Sequence, residues 1–247
     1  KEKKYSSLEY INFPNGVNLS NILNGSSNSF FQPIATSADT EVQVAFSGIL
    51  NVDIDYELGN IPGPNSRKSG LYLGPKTVVN ITDGVHFILD GVFVSGCQEM
   101  YDAFVVKDGG KMTVKNSDIL DGIRAITVED GGELYINNTR LYNNHISVYV
   151  PPSTTGKTDQ NPLVTILGSD FYQEGPENFA GNAFDARLLP PFAGERSFAA
   201  AEFNDVMGGI TIAALLTTND ILQPVIKKST FRYLENGLIF NRSDAFI

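Results

Sequence analysis

Asp53, Asp55 and Glu57 carry carboxylates at every second position, the spacing that would set all three on one face of a strand. Such a row is a donor set for a hard cation, Ca²⁺ above all. Beside a basic proton acceptor on an exposed sheet it would suit a lyase or hydrolase acting on acidic polysaccharides. The plainer reading is the solvated face of a strand whose other side carries Val52, Ile54 and Tyr56. Other reactive groups are few: two histidines, His86 and His145, and one cysteine, Cys97. That is too little for a zinc site of the usual kinds, and a single thiol forms no internal disulfide. His86 reads as a core histidine at an inward position, and His145 sits in the corner Asn143, Asn144, His145. No catalytic or cofactor-binding residue is assigned, and Asp53, Asp55 and Glu57 stand as weak candidates for Ca²⁺ only.

Charge narrows the partners. The chain has 28 acidic and 18 basic side chains among 247 residues, a formal charge of −10. It shows no basic stripe, so binding to a phosphate backbone is disfavoured, and a polyanionic substrate would be repelled unless metal ions intervened. No window approaches the roughly 20 consecutive apolar residues that a membrane-spanning helix needs. The start, Lys1 to Tyr5, lacks the apolar region of a signal peptide, and reads as processed or as cut from a longer chain. At 42% hydrophobic and 19% charged, the chain has the material for a sizeable core.

The elements that would position these groups repeat. Residues 107–128 align without a gap on residues 129–150, an offset of 22. Identities fall at Asp108/Asp130, Gly109/Gly131, Gly110/Gly132, Asn116/Asn138 and Val128/Val150. The pairs Met112/Leu134, Val114/Ile136, Ile119/Leu141 and Ile126/Val148 keep their apolar class. Upstream, residues 83–96 fit the template at an offset of 26, and downstream 163–172 and 225–232 fit after longer insertions. The expected columns are Ile88/Val114/Ile136/Ile166/Ile226 and Phe93/Ile119/Leu141/Phe171/Phe231. His86 falls beside Met112.

A period of about 22 residues, made of short alternating strands with Gly- and Asn-rich corners, predicts a solenoid of parallel strands. Leucine-rich repeats need more Leu than is present, and the Ca²⁺-binding nonapeptide repeat needs a period of 9. The expected fold is therefore all-β, a right-handed parallel β-helix, the hand being the one parallel crossovers take. The Asp-Gly-Gly runs supply positive φ at sharp corners. Asn116 and Asn138, one coil apart, are placed to hydrogen-bond along the stack as an internal ladder.

Four ordered segments, 41–56, 96–110 (with Cys97, Tyr101 and Asp108-Gly109-Gly110), 145–152 and 231–243, resemble stretches of large secreted right-handed β-helix proteins of gliding and surface-active bacteria. The resemblance spans roughly residues 41–247. It implies export by the type IX pathway and a place in surface proteins, adhesins or appendages, and it brings no catalytic motif. Tyr101 stands where that family often has Trp. No Asn-Thr-Asp, Gly-His-Gly or Arg-Ile-Lys segment of the polygalacturonase type occurs, nor the Arg-x-Pro-x-x-Arg of pectate lyases.

Residues 1–40 are expected to form an N-terminal cap or irregular first coil, and 41–247 the β-helix, as part of a longer chain. Insertions at 151–162, 174–196 and 213–224 are the places left for recognition, because solenoid loops build binding faces. The second is apolar, with Phe179, Phe184, Leu188, Leu189, Phe192 and Phe198, and either folds over the helix or docks on a partner. Phe184, Leu188, Leu189 and Phe192 are its partner-binding candidates. An abrupt end at 241–247, with no polar cap, predicts coverage by more chain or by another subunit. The expected role is a noncatalytic, extracellular structural or adhesive module that self-associates or joins other subunits of a surface assembly, with cell-surface glycans as further partners. The rival is a glycan-binding or glycan-cleaving protein.

Overall fold

The computed structural model describes residues 11–24, 43–59, 69–153, 161–173, 188–218, 224–243 and 245. It is almost entirely β, and nearly all of its strands run parallel. From residue 56 onward the strands fall into three stacks, each strand hydrogen-bonding to the one three places later in the chain. The first stack holds Tyr56–Gly59, His86–Asp90, Lys111–Lys115, Glu133–Asn137, Leu163–Leu167 and Ile210–Ala213. The second holds Ser69–Leu73, Val92–Gly96, Asp118–Leu120, Arg140–Tyr142, Asp170–Tyr172 and Thr230–Arg232. The third holds Val78–Ile81, Ala103–Val106, Arg124–Val128, Ile146–Val150, Ala199–Asn204 and Asn236–Asn241. One long strand, Gln43–Val52, joins the second and third stacks into a single sheet, pairing with Gly70–Leu73 through its first half and with Val78–Ile81 through its second. We call one passage through the three stacks a rung.

Alternation explains why these residues make strands. Every second side chain points into the stack, where it meets its counterparts on the rungs above and below. The first inward column is Leu58, Leu89, Val114, Ile136, Ile166 and Ile212, all at most 5% exposed. The second runs Leu71, Val94, Ile119, Leu141, Phe171, and the third Val79, Phe104, Ile126, Val148, Ala201, all nearly or fully buried. Each large apolar side chain so buried contributes about 1.5–3 kcal/mol. Aromatic rings continue the columns: Phe171 stacks on Phe231 and Phe203 on Phe240, with ring centroids 5.3 Å apart in both pairs.

Corners are built from the residue types the repeat displays. Gly109 and Gly131 have φ of +69° and +76°, and a Cβ on either would collide with the Asp83 or Asp108 carboxylate of the preceding rung. Asn116 and Asn138 adopt φ of +51° and +49°, which Asn tolerates better than most residues. Beside them a buried hydroxyl column holds the main chain. The Ser117 hydroxyl accepts from the Val92 amide at 3.0 Å, that of Ser169 from Thr139 at 3.2 Å, and that of Ser229 from Ser169 at 3.3 Å.

The offset of 22 between 107–128 and 129–150 holds residue for residue in all three stacks. Three expectations fail. In the first stack the upstream offset is 25, because Asp83-Gly84 occupies the corner of Asp108-Gly109 and Val85 takes the place of the second glycine. A slip of one residue turns every side chain to the opposite face. Leu89 and Val94, not Ile88 and Phe93, therefore fill the columns. His86 is correspondingly not a core residue: it pairs with Lys111 on the outer face, while Phe87 points inward beside Met112. Ile226 lies in an antiparallel hairpin, Leu215–Thr218 with Pro224–Lys227, and is 65% exposed; Ile212 fills its place. The Asn ladder exists but runs outside: Asn138 donates to Asn116 Oδ1 at 2.7 Å, Asn116 donates to Asp90 Oδ1 at 2.8 Å, and Asn116 is exposed.

At the N-terminal end, strand Ile11–Asn18 pairs in parallel with Gln43–Val52, and the short helix Leu19–Asn24 buries Leu19 and Ile22 against the core. The register yields an expected pair of outcomes. Leu89→Thr destabilises the protein by about 3 kcal/mol, and Ile136→Asp by more, since each puts a polar group into the interior. Ile88→Thr, in the outward column of Thr113, Thr165 and Thr211, costs less than about 1 kcal/mol. Chemical denaturation of the three variants against the parent measures this; equal losses for Leu89→Thr and Ile88→Thr would refute the register.

Candidate functional site

The carboxylates at 53, 55 and 57 are not three teeth of one strand. Val52 ends the joining strand and Tyr56 begins the next, so Asp53 and Asp55 lie in the corner between them and only Glu57 is on a strand. Asp53 is tied to the short helix: its carboxylate accepts from the Ser20 amide at 2.9 Å and from the Ser20 hydroxyl at 2.5 Å. Burial pulls its pKa upward, but the Ser20 hydrogen bonds outweigh this and hold it below the ordinary 3.8. Asp55 accepts from the His86 amide at 2.8 Å, fastening this corner to the following rung. Glu57 is exposed, in the outward column with Ile88 and Thr113. His86 places Nε2 2.8 Å from the Thr113 hydroxyl. Among the described residues no three His, Cys, Asp or Glu side chains are grouped to hold a metal ion.

The apolar insertion returns to the stack. Of the notebooked residue types in 174–196, Phe179 and Phe184 lie outside the described residues. Leu188 is 4% exposed, and Leu189 and Phe192 are half-buried. The Pro190 carbonyl accepts from the Met100 amide at 2.9 Å. The Phe192 ring lies on the His145 imidazole, centroids 3.8 Å apart and planes 5° from parallel, with Phe198 at 5.8 Å. Gln173 fixes the end of the segment, its Oε1 accepting from the Ser197 amide at 3.1 Å. Residues 188–198 thus cross the side of the stack between the 97–101 loop and the His145 corner. His145 Nδ1 is buried with no hydrogen-bond partner. Burial lowers the imidazole pKa from 6.5; Glu195 and Glu235 pull it up, and Arg124 adds to the depression. Next to this contact, Cys97 and Tyr101 are buried. Tyr101 meets Phe104 edge-on at 5.9 Å, and burial, reinforced by Asp121, pushes its phenol well above the ordinary range.

Outward side chains on the second stack pair along the stack. Arg140 engages both carboxylate oxygens of Asp118 at 2.5 and 2.7 Å, and Thr230 donates to Asp170 at 2.7 Å. Tyr142 and Tyr172 lie 5.1 Å apart and 6° from parallel, with the Arg232 guanidinium 5.3 Å from the Tyr172 ring centroid. Rings stacked this way cover one another's faces and turn their edges outward, so the pair offers no flat platform for a sugar ring. On the first stack a shallow groove of about 450 Å³ runs past Leu163, Thr165, Gly209 and Thr211. It is lined by hydroxyl and apolar groups, with no titratable side chain.

Comparisons with protein-family models, curated proteins and solved structures find no match to this chain. What the sequence left unseen is the contact of Phe192 with His145: the apolar composition of the insertion was legible, but its seat on a residue 47 positions earlier is tertiary.

His145 gives this contact a pH dependence. The docked segment favours the neutral imidazole, so docking is complete above the ordinary pKa of 6.5 and weakens as the pH falls below it. Between about pH 7.5 and 5.5, exchange of the Met100 amide is expected to accelerate beyond its intrinsic change, whereas that of the core amide of Ile126 is not. His145→Phe should abolish the difference. Identical pH responses of Met100 in the parent and the variant would refute the link.

Proposed function

We propose that the chain is a right-handed parallel β-helix serving as a noncatalytic structural or adhesive module of a secreted bacterial surface protein or appendage. The observation that carries this reading is where the outward polar groups go. Asp53, Asp55, Asn116, Asn138, Asp118, Arg140, Tyr142 and Tyr172 all bond or stack between neighbouring rungs or onto the capping helix, so their chemistry is taken up in holding the stack together. A catalytic site needs the opposite arrangement, with titratable groups converging on a space that a substrate can enter. The right hand follows from the near-universal hand of parallel crossovers. Export by the type IX route and an extracellular location rest on the four segments that resemble secreted β-helix proteins of gliding bacteria. Partners on this reading are further subunits of the same surface assembly and cell-surface glycans. No helix among the described residues is long and apolar enough to cross a membrane.

The test is incubation with polygalacturonate, alginate and chondroitin, with and without Ca²⁺. Neither unsaturated uronate nor new reducing ends are expected, and Ca²⁺ should leave the thermal midpoint unchanged. Turnover that vanishes in Asp53→Asn or Asp55→Asn would overturn the proposal in favour of a polysaccharide-cleaving β-helix. A midpoint raised by Ca²⁺ and restored by chelation would reinstate a cation site at these carboxylates.

A further inference from the structure

The two ends of the stack differ. At the N-terminal end the helix Leu19–Asn24 lays Leu19 and Ile22 over the core. At the other end Ile210–Ala213, Thr230–Arg232 and Asn236–Asn241 are the last strands of their stacks, and no described strand pairs with their outer edges. The inward columns change there too. Phe171, Ala201 and Phe203 are fully buried, whereas Phe231, Leu238 and Phe240, one rung further on, are only half-buried. An open strand edge above a half-covered apolar column is a template for another strand.

We propose that this open end pairs with the same end of a second copy of the chain, edge strand to edge strand about a two-fold axis. Three observations select that occupant. Head-to-tail stacking would set the open end against the helix that covers the other one, where the described residues offer no strand edge for it. A two-fold contact needs only one surface, and the surface present is self-complementary. Its rim carries Arg232 and Glu235, both exposed and of opposite sign, so the symmetry can set Arg232 against Glu235 of the partner subunit. The edge also has free donors in the required alternation. Asn236 donates its amide inward to the Phe198 carbonyl at 2.8 Å, so the amides of Gly237 and Ile239 face the open edge. Two such edges brought together pair antiparallel, and Phe231, Leu238 and Phe240 are covered by their symmetry mates. The inference deepens the reading as a structural module, yet it depends on the geometry of the stack and not on the route of export.

Sedimentation equilibrium of the 247-residue chain between about 1 and 100 µM tests it. A closed monomer–dimer equilibrium is expected, with protection of the Gly237 and Ile239 amides rising as dimer forms. Ile239→Pro removes a donor at the open edge and Ile239→Lys places a charge there; each should raise the dimer dissociation constant at least tenfold. Ile239→Lys decides the matter should the proline variant fail to fold. Ile54→Ser, at the opposite end, should leave it unchanged. A monomer throughout the range, open-ended growth, a dimer indifferent to both Ile239 variants, or one lost in Ile54→Ser would each overturn the proposal. None of these outcomes touches the polysaccharide assay, so the two readings fail separately.

Discussion

Everything in this molecule hangs on the parallel ladder between rungs. Hydrogen bonds at fixed register force residue over residue, and the two-residue period of the strand then divides each column into inward or outward for its whole length. An inward column must be apolar on every rung, as Leu89, Val114, Ile136 and Ile166 are. An outward column places like or complementary groups a strand spacing apart, which is why Asn finds Asn, Tyr finds Tyr and Arg140 finds Asp118. The ladders follow from the register; they do not need to be designed one by one.

That same constraint decides how much could be read from the residues alone. Where two rungs have equal length, as at 107–150, identical spacing gives the register of all three stacks together. Where a corner changes length, the strand pattern by itself does not say which residue slipped. Val85 replaces a glycine, and Ile88-Leu89 and Phe93-Val94 offer apolar residues on both faces, so either register is plausible until the corner hydrogen bonds are seen. His86 moved from inside to outside on that account. Ile226 and Ile212 present a similar ambiguity: both sit in short apolar runs, and only pairing distinguishes the hairpin from the rung.

The candidate groups were legible as chemistry and not as geometry. Alternating carboxylates at 53, 55 and 57 suggest a strand face, but the chain turns between Val52 and Tyr56, and the corner directs Asp53 to a helix that begins more than thirty residues earlier. The segment around Leu188 and Phe192 was recognisable as too apolar for a solvated tether. Its seat depends on His145 and Met100 from two different rungs, and no local pattern encodes that meeting.

The direction of the ladder hydrogen bonds has a mechanical side. In all three stacks they run along the long axis, while the chain itself runs across it. Tension applied along the axis therefore meets the rungs in series, and they yield one at a time, each resisting only with its own few backbone bonds and its own layer of core. Tension applied along the strands must shear a whole row of bonds at once. A filament or stalk made of such rungs is stiff against sideways load and extensible lengthwise, and the weakest rung sets the force at which it begins to give.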